Sequence, residues 1–317
     1  MISPSLETLV QGLLWCALKL ALWLVRILPR RLLLSLSEFL ADASFYFLYA
    51  SRKRSIENFT VALGEGLDHR KIAFVVRRSF RNFFRAFVEL GLALEAPEEF
   101  QREIPLLGRE HLEAALARGR GVIALSAHLG NFFLLGSRLA VEGYPTYVLV
   151  KQSRDGSLPR LMDQCRLKLK QRTIHARPRR QASQKLVQVL RRNELAIVIA
   201  DEHGATSGIS VPFFGRRVLG RRGPATLALR TGAAVLPVYM VRGSDGGLTL
   251  IIEPEIELLR SGGTRAAIGE NIQRTIQWLE RVVRRHPDQW NWTNVHWQQT
   301  SANSFVEEEH RYESATH

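Results

Sequence analysis

Apolar residues fill most of the stretch from Leu9 to Leu28, a run of roughly membrane-spanning length. Thr8, Gln11, Lys19, Arg26 and Arg30 fall at helical spacings along one narrow stripe of it. Such a helix is expected to be membrane-embedded, either spanning or lying in the interface with its stripe toward headgroups. A central lysine costs about 2.5–3.5 kcal/mol in a true span and little in the interface. A second apolar helix is expected over Leu32 to Ala50, with an aromatic end (Phe39, Phe45, Tyr46, Phe47, Tyr49). Amphipathic helices follow over Arg52 to Leu63 and Lys71 to Leu94, separated by Gly64-Glu65-Gly66. On the second of these, Arg77, Arg78, Arg81 and Arg85 lie opposite the apolar face, as a solvated band or as a contact for lipid phosphates.

Beyond Pro97 the period changes. Short apolar runs at Gly121 to Ser126, Thr146 to Val150, Ala196 to Ala200, Ala234 to Met240 and Leu248 to Ile252 read as strands. Between them, Arg109 to Arg118, Phe132 to Val141, Arg180 to Arg192 and Ala225 to Arg230 read as helices. This alternation predicts an α/β fold with a mixed, largely parallel sheet flanked by helices. The expected organisation is a membrane helix over 1–31, a helical membrane-proximal region over 32–96, an α/β domain over 97–300 and a tail over 301–317.

Candidate chemistry sits where two strands end. Ser126-Ala127-His128 leaves the first strand into a turn at Gly130, and crevices at the carboxyl ends of parallel strands are where such folds place reactive side chains. His128 is either a general base or a strand-end histidine bonded to a backbone carbonyl. Asp201 and Glu202 follow the strand ending at Ala200. They are either partners for His128 or turn caps that pair with Arg216 and Arg217. Trp290, Trp292 and Trp297 read as core packing rather than a base-stacking platform, because no aromatic-basic strand pattern accompanies them.

Charge narrows the partners. With 44 Lys+Arg against 30 Asp+Glu, the 317-residue chain carries +14 at pH 7, which favours anionic partners such as a phospholipid surface or an acidic carrier protein. A nucleic acid is not expected, since no reading motif is present. Two cysteines give no disulfide framework, and the scattered His128, His175 and His203 give no metal-ligand spacing.

Several blocks together resemble a known family. They are Leu112 to Ile123 (LEAALARGRGVI), His128-Leu129-Gly130-Asn131, Ala200-Asp201-Glu202, and Val211-Pro212-Phe213-Phe214-Gly215. Ala225 to Ala228, Thr231-Gly232-Ala233, and Pro287-Asp288-Gln289-Trp290-Asn291-Trp292 complete the set. In order and spacing, over nearly the whole chain, these are similar to the lysophospholipid and lipid A biosynthesis (lauroyl/myristoyl) acyltransferases. The resemblance implies a glycerolipid acyltransferase-like α/β fold and O-acyl transfer without a cofactor. The donor would be an acyl thioester on acyl carrier protein or coenzyme A, and the acceptor an anionic membrane lipid such as a lipid A precursor. The implied location is the bacterial inner membrane, with the catalytic domain on the cytoplasmic face. His128 would be the base, Asn131, backbone N–H groups or Lys151 would hold the oxyanion, and Lys151, Arg166, Arg216 and Arg221 would bind substrate.

The chain departs from the family at three positions. The family's histidine is followed five residues later by a carboxylate, and here that residue is Phe133. Another carboxylate, Asp201 or Glu202, then serves His128, or the imidazole is held by a backbone carbonyl, or the chain is a noncatalytic lipid-binding member. Lys151 stands where arginine is expected, and Asn294 where histidine is expected.

Overall fold

The computed structural model describes residues 12, 19, 20, 22–151, 157–201, 208–260 and 265–298. Most of the expected amino-terminal membrane segment, Glu202, His203 and the tail after Ser301 lie outside the described residues.

Three helices form a layer of their own: α1 (Arg30–Phe47), α2 (Tyr49–Leu63) and α3 (His69–Glu95). Asp68 caps α3 by accepting from the Lys71 N–H at 2.7 Å. The helix expected over Leu32 to Ala50 instead ends at Phe47, and the chain turns by 89° at Leu48 into α2. No glycine or proline marks that turn. It is set by burial, because α1 buries Leu33, Ala41 and Phe45 while α2 buries Asn58 and Phe59. Among the described residues no single helix is long and apolar enough to cross a membrane; α1 and α2 meet that criterion only as this bent pair.

The arginine band of α3 is neither simply solvated nor left over for lipid. Arg77 and Arg81 each donate two hydrogen bonds to Asp42 of α1, with Nε to Oδ1 at 2.7 and 2.8 Å. Arg85 pairs with Glu38, and Arg78 with Asp288. Glu38 and Asp42 stand one turn apart on α1 and meet the one-turn steps of Arg77, Arg81 and Arg85 in reverse order, which fixes the two helices antiparallel. The Arg77 and Arg81 hydrogen bonds hold the Asp42 carboxyl far below the usual carboxylate range. Asp42→Asn should therefore destabilise the fold at neutral pH by about 1–2 kcal/mol, a modest value because both arginines remain more than a third exposed. A depressed carboxyl stabilises above its unfolded pKa and loses that contribution as pH falls through the folded one. The gap between wild type and Asp42→Asn in denaturant unfolding should consequently narrow below about pH 4; a gap that widens there would exclude the seam as its source.

The rest of the chain builds a seven-stranded sheet in the order β1-β9-β8-β2-β5-β3-β4. The strands are β1 (Leu106–Leu107), β2 (Val122–Ser126), β3 (Thr146–Val150), β4 (Gln171–His175), β5 (Leu195–Ile199), β8 (Ala234–Arg242) and β9 (Leu248–Ile252). Every neighbouring pair is parallel except β8 with β9. A separate antiparallel hairpin joins β6 (Ile209–Phe213) to β7 (Arg216–Gly220). The helices are α4 (Pro97–Arg102), α5 (Arg109–Leu116), α6 (Leu135–Val141), α7 (Ser157–Lys168), α8 (Arg179–Arg191), α9 (Gly223–Thr231) and α10 (Arg265–Arg285).

Parallel strands covered on both faces need apolar residues at every position, and β2 is buried throughout. Its alternate residues serve two cores. Ile123 and Leu125 pack with residues of α8, α9 and α10, whereas Val122 and Ala124 pack with α5, α6 and the end of α3. The five expected strands are present, within a residue or two at their ends. β4 carries no apolar run because it is an edge strand with one face exposed, and the hairpin strands contain Pro212, Arg216 and Arg217.

Candidate active site

Register brings the central pair together. β2 and β5 are adjacent and parallel with Ser126 opposite Ile199, and the ladder extends through the bond from the Ala200 N–H to the Ser126 carbonyl. One further step sets His128 opposite Asp201, two residues past each strand end and thus on the same side of the sheet. His128 Nδ1 lies 2.8 Å from Asp201 Oδ1. The His128 backbone N–H donates to Oδ2 at 2.7 Å, and the Trp290 indole N–H donates to the same oxygen at 2.8 Å. Asp201 has no exposed surface, while 20% of the His128 side chain is open. Burial pushes the Asp201 carboxyl up, but the His128 charge, its hydrogen bonds and the Trp290 donor outweigh burial and hold it below the ordinary carboxylate range. An ionised Asp201 accepting from Nδ1–H fixes the tautomer whose basic nitrogen is Nε2.

The loop after His128 is clamped from several directions. The His128 carbonyl accepts from the Asn291 N–H at 3.0 Å, and the Gln289 carbonyl accepts from the Gly130 N–H at 2.9 Å, so Trp290 and Leu129 form an isolated antiparallel bridge. Gly130 adopts φ +56°, and a Cβ there would stand 1.8 Å from the Met240 carbonyl oxygen, so only glycine fits. Asn131 is wholly buried and donates through Nδ2 to Glu89 Oε2 of α3 at 2.8 Å. Glu89 is itself held by the Arg242 guanidinium through both carboxylate oxygens, and Arg242 Nε donates to Asn82 at 3.1 Å. Asn131 thus stands behind the loop and is not among the residues that line the two cavities beside His128. Among the described residues, no acceptor takes the backbone N–H of Phe132 or Phe133.

Phe133 packs on Phe83, Phe87 and Phe132, with ring centroids at 6.3, 4.9 and 4.1 Å. Its position belongs to an aromatic cluster against α3, away from the imidazole's Nδ1 partner. The Phe132 ring instead meets His128 edge-on at 4.8 Å.

Two cavities share His128 and Phe132 in their walls. One, of about 260 Å³, is largely aromatic, walled by Phe80, Phe83, Phe84, Trp290 and Trp292. The other, of about 440 Å³, carries Lys151, Arg166, Arg177, Arg179 and Arg221. Lys151 is exposed just past β3, and Arg166 also pairs with Asp163 at 2.7 Å. Arg216 begins β7 on the hairpin and lines neither cavity. Among the described residues no group of three or more His, Cys, Asp or Glu converges to hold a metal ion.

Sequence reasoning had not assigned Glu89, Arg242, Arg177 or Arg179 to the site, and it read Trp290 as packing alone. Trp290 is fully buried, yet its indole N–H is one of Asp201's three donors. The Asp-Gln-Trp-Asn-Trp block was its only signal. Trp290→Phe should keep the packing and remove that donor, lowering kcat about 3- to 10-fold and stability by about 1–2 kcal/mol. Steady-state kinetics with a thermal melt would measure both, and an unchanged kcat would leave Trp290 a purely packing residue.

A histidine–carboxylate pair thus stands at the carboxyl ends of parallel strands, between an aromatic cavity and a cationic one. The family model of bacterial lipid A biosynthesis acyltransferases matches residues 2–299, and the chain belongs to that family. It is similar to the phosphatidylinositol mannoside acyltransferase of Mycobacterium tuberculosis (strain ATCC 25618 / H37Rv), 28% identical over 193 residues, 60% of this chain and 58% of that protein. The protein of the same name from Mycolicibacterium smegmatis is 26% identical over 196 residues, 62% of each chain. Lipid A biosynthesis acyltransferase 2 of Shigella flexneri is 23% identical over 250 residues, 76% of each. The match therefore spans less than two thirds of the mycobacterial relatives' length.

Proposed function

We propose that the protein transfers a fatty acyl chain from an acyl thioester, on acyl carrier protein or coenzyme A, to a hydroxyl of a lipid A precursor or related anionic membrane lipid. The observation that carries this reading is the His128–Asp201 contact in the wall shared by the two cavities. His128 Nε2 takes the proton of the acceptor hydroxyl while Asp201 stabilises the imidazolium that forms. The acceptor oxygen bonds to the thioester carbonyl carbon. The tetrahedral oxyanion meets the backbone N–H groups of Phe132 and Phe133. On collapse the C–S bond breaks, and the departing thiolate takes the proton back from His128, which balances the step without a cofactor. Asn131 acts by positioning, through Glu89. Lys151, Arg166 and Arg221, joined by Arg177 and Arg179, suit the phosphates of a lipid headgroup or of the donor. Asp201 supplies the carboxylate that Phe133 does not, which favours turnover over a noncatalytic lipid-binding role. If the segment from Leu9 to Leu28 spans the bilayer, the cationic Arg30, Arg31 and Arg52-Lys53-Arg54 support a place on the cytoplasmic face of the inner membrane.

The purified protein should convert acyl carrier protein or coenzyme A thioesters and lipid A precursor to acylated lipid and free thiol in equal amounts, as read by mass spectrometry. Stoichiometric binding of lipid with no thiol released from either donor would sink the reading.

A further inference from the structure

Helix α1 is apolar on two sides. Its inner side (Leu33, Ala41, Phe45) is buried, and its two acids, Glu38 and Asp42, are both spent on arginines of α3. Outward it carries the exposed Leu32, Leu36, Phe39, Leu40, Tyr46 and Phe47, with Ser35 among them. The exposure peaks where the chain turns into α2, with Phe47 at 85% and Tyr49 at 62%. A helix apolar around most of its circumference belongs in a core or a bilayer, and this one has a core on one side only. Cations follow the turn: Arg52, Lys53 and Arg54 stand in the first two turns of α2, and Arg52 lies over the Tyr49 ring at 5.4 Å. Amphipathic aromatic rings beside cations, around a protruding apolar tip, match the boundary between acyl chains and anionic headgroups.

The same turn forms part of the aromatic cavity. Leu48 at the corner, then Ser51 and Ser55 one and two turns into α2, share its wall with Phe83 and Phe84 of α3 and with His128. The cavity beside the imidazole thus reaches Leu48, the residue next to the most exposed apolar side chain of the helical layer, Phe47.

We propose that the α1–α2 corner docks on an anionic bilayer and that the cavity behind Leu48 admits a lipid chain from that bilayer to His128. The occupant is a phospholipid surface, because the residues after the turn are cationic while the tip is uncharged. The proposal rests on the reading that His128 acylates a membrane lipid, but its test does not require turnover.

The full chain, with Cys16→Ser and Cys165→Ser, would carry an environment-sensitive fluorophore on Phe47→Cys or, as a control, on the exposed Glu110→Cys of α5. On vesicles of phosphatidylcholine with about 30% phosphatidylglycerol, the probe at 47 should shift to the blue and be quenched by brominated acyl chains. The probe at 110 should stay in water. A photoreactive phosphatidylglycerol bearing a diazirine in its acyl chain should label peptides containing Ser51 to Ser55 and Phe80 to Phe84. Leu48→Trp, which fills the mouth, should cut that labelling of vesicle-bound protein at least fivefold while the melt stays unchanged. A probe at 47 that remains in water on vesicle-bound protein would overturn the docking and point to a protein partner for the corner. Labelling confined to the outer face of α1 would overturn the passage. Insertion and labelling without any acyl transfer would leave this proposal standing and remove the transfer reading instead.

Discussion

Asp201→Asn is expected to lower kcat by about 10²–10⁴-fold with KM little changed and the fold intact, and His128→Ala to do at least as much. The reason lies in how the carboxylate is used. Oδ2 accepts from two fixed N–H donors, the His128 backbone and the Trp290 indole, while Oδ1 faces His128 Nδ1. An asparagine must keep its carbonyl toward the two fixed donors, so its amide turns toward Nδ1. That amide is a donor, so the imidazole must present Nδ1 as an acceptor and carry its proton on Nε2, the tautomer that cannot accept the hydroxyl proton. Kinetics at saturating donor, with circular dichroism as the fold control, would test this. Near-normal kcat in Asp201→Asn would mean that the tautomer is not set by this contact, and a fully active His128→Ala would remove the base altogether. Phe133→Glu, by contrast, places a charge among the rings of Phe83, Phe87 and Phe132 and should not restore a family-like site.

The second large effect is on stability. Glu89→Ala leaves the Arg242 guanidinium buried without its partner and should cost about 3–5 kcal/mol in denaturant unfolding. Replacing both, Glu89→Met with Arg242→Met, should recover most of that loss, because two buried charges vanish together. Activity should not recover with it, since Asn131 loses the acceptor that holds the His128 loop. A double variant as active as wild type would show that the pair serves packing only, and a single variant costing under about 1 kcal/mol would show that water reaches the pair.

What the chain reveals before folding is what local pattern controls. The run from Val122 to Leu125 announces a buried strand, and a histidine three residues beyond its last apolar position must then stand at the crevice. Asp201 follows its own strand by the same logic, but only the pairing of β2 with β5 makes it His128's neighbour, and a pairing of strands 73 residues apart leaves no local mark. Glu89, Arg242 and Trp290 are hidden for the same reason. Each reads as an ordinary helix, strand or motif residue until the elements meet. The arginines of α3 illustrate the converse error: their helical face was legible, but the matching acids on α1 that consume it were not. Asn131 was legible as a special residue while its direction was not, because the turn at Gly130 aims it toward α3. The turn at Leu48 has no breaker residue, so a single longer helix was the natural expectation.

The clamp on His128 also orders events in time. The loop at 128–131 is held by Asp201, by the Met240 carbonyl and by the backbone of Gln289 and Asn291. Synthesis adds on the order of 5–20 residues per second, so the histidine leaves the ribosome well before its last supports exist. Until the segment around Gln289 has been made and has docked, the loop lacks the two backbone bonds that Gly130 and His128 make to Gln289 and Asn291. The loop that carries the histidine is therefore complete only once the chain has been built past Asn291.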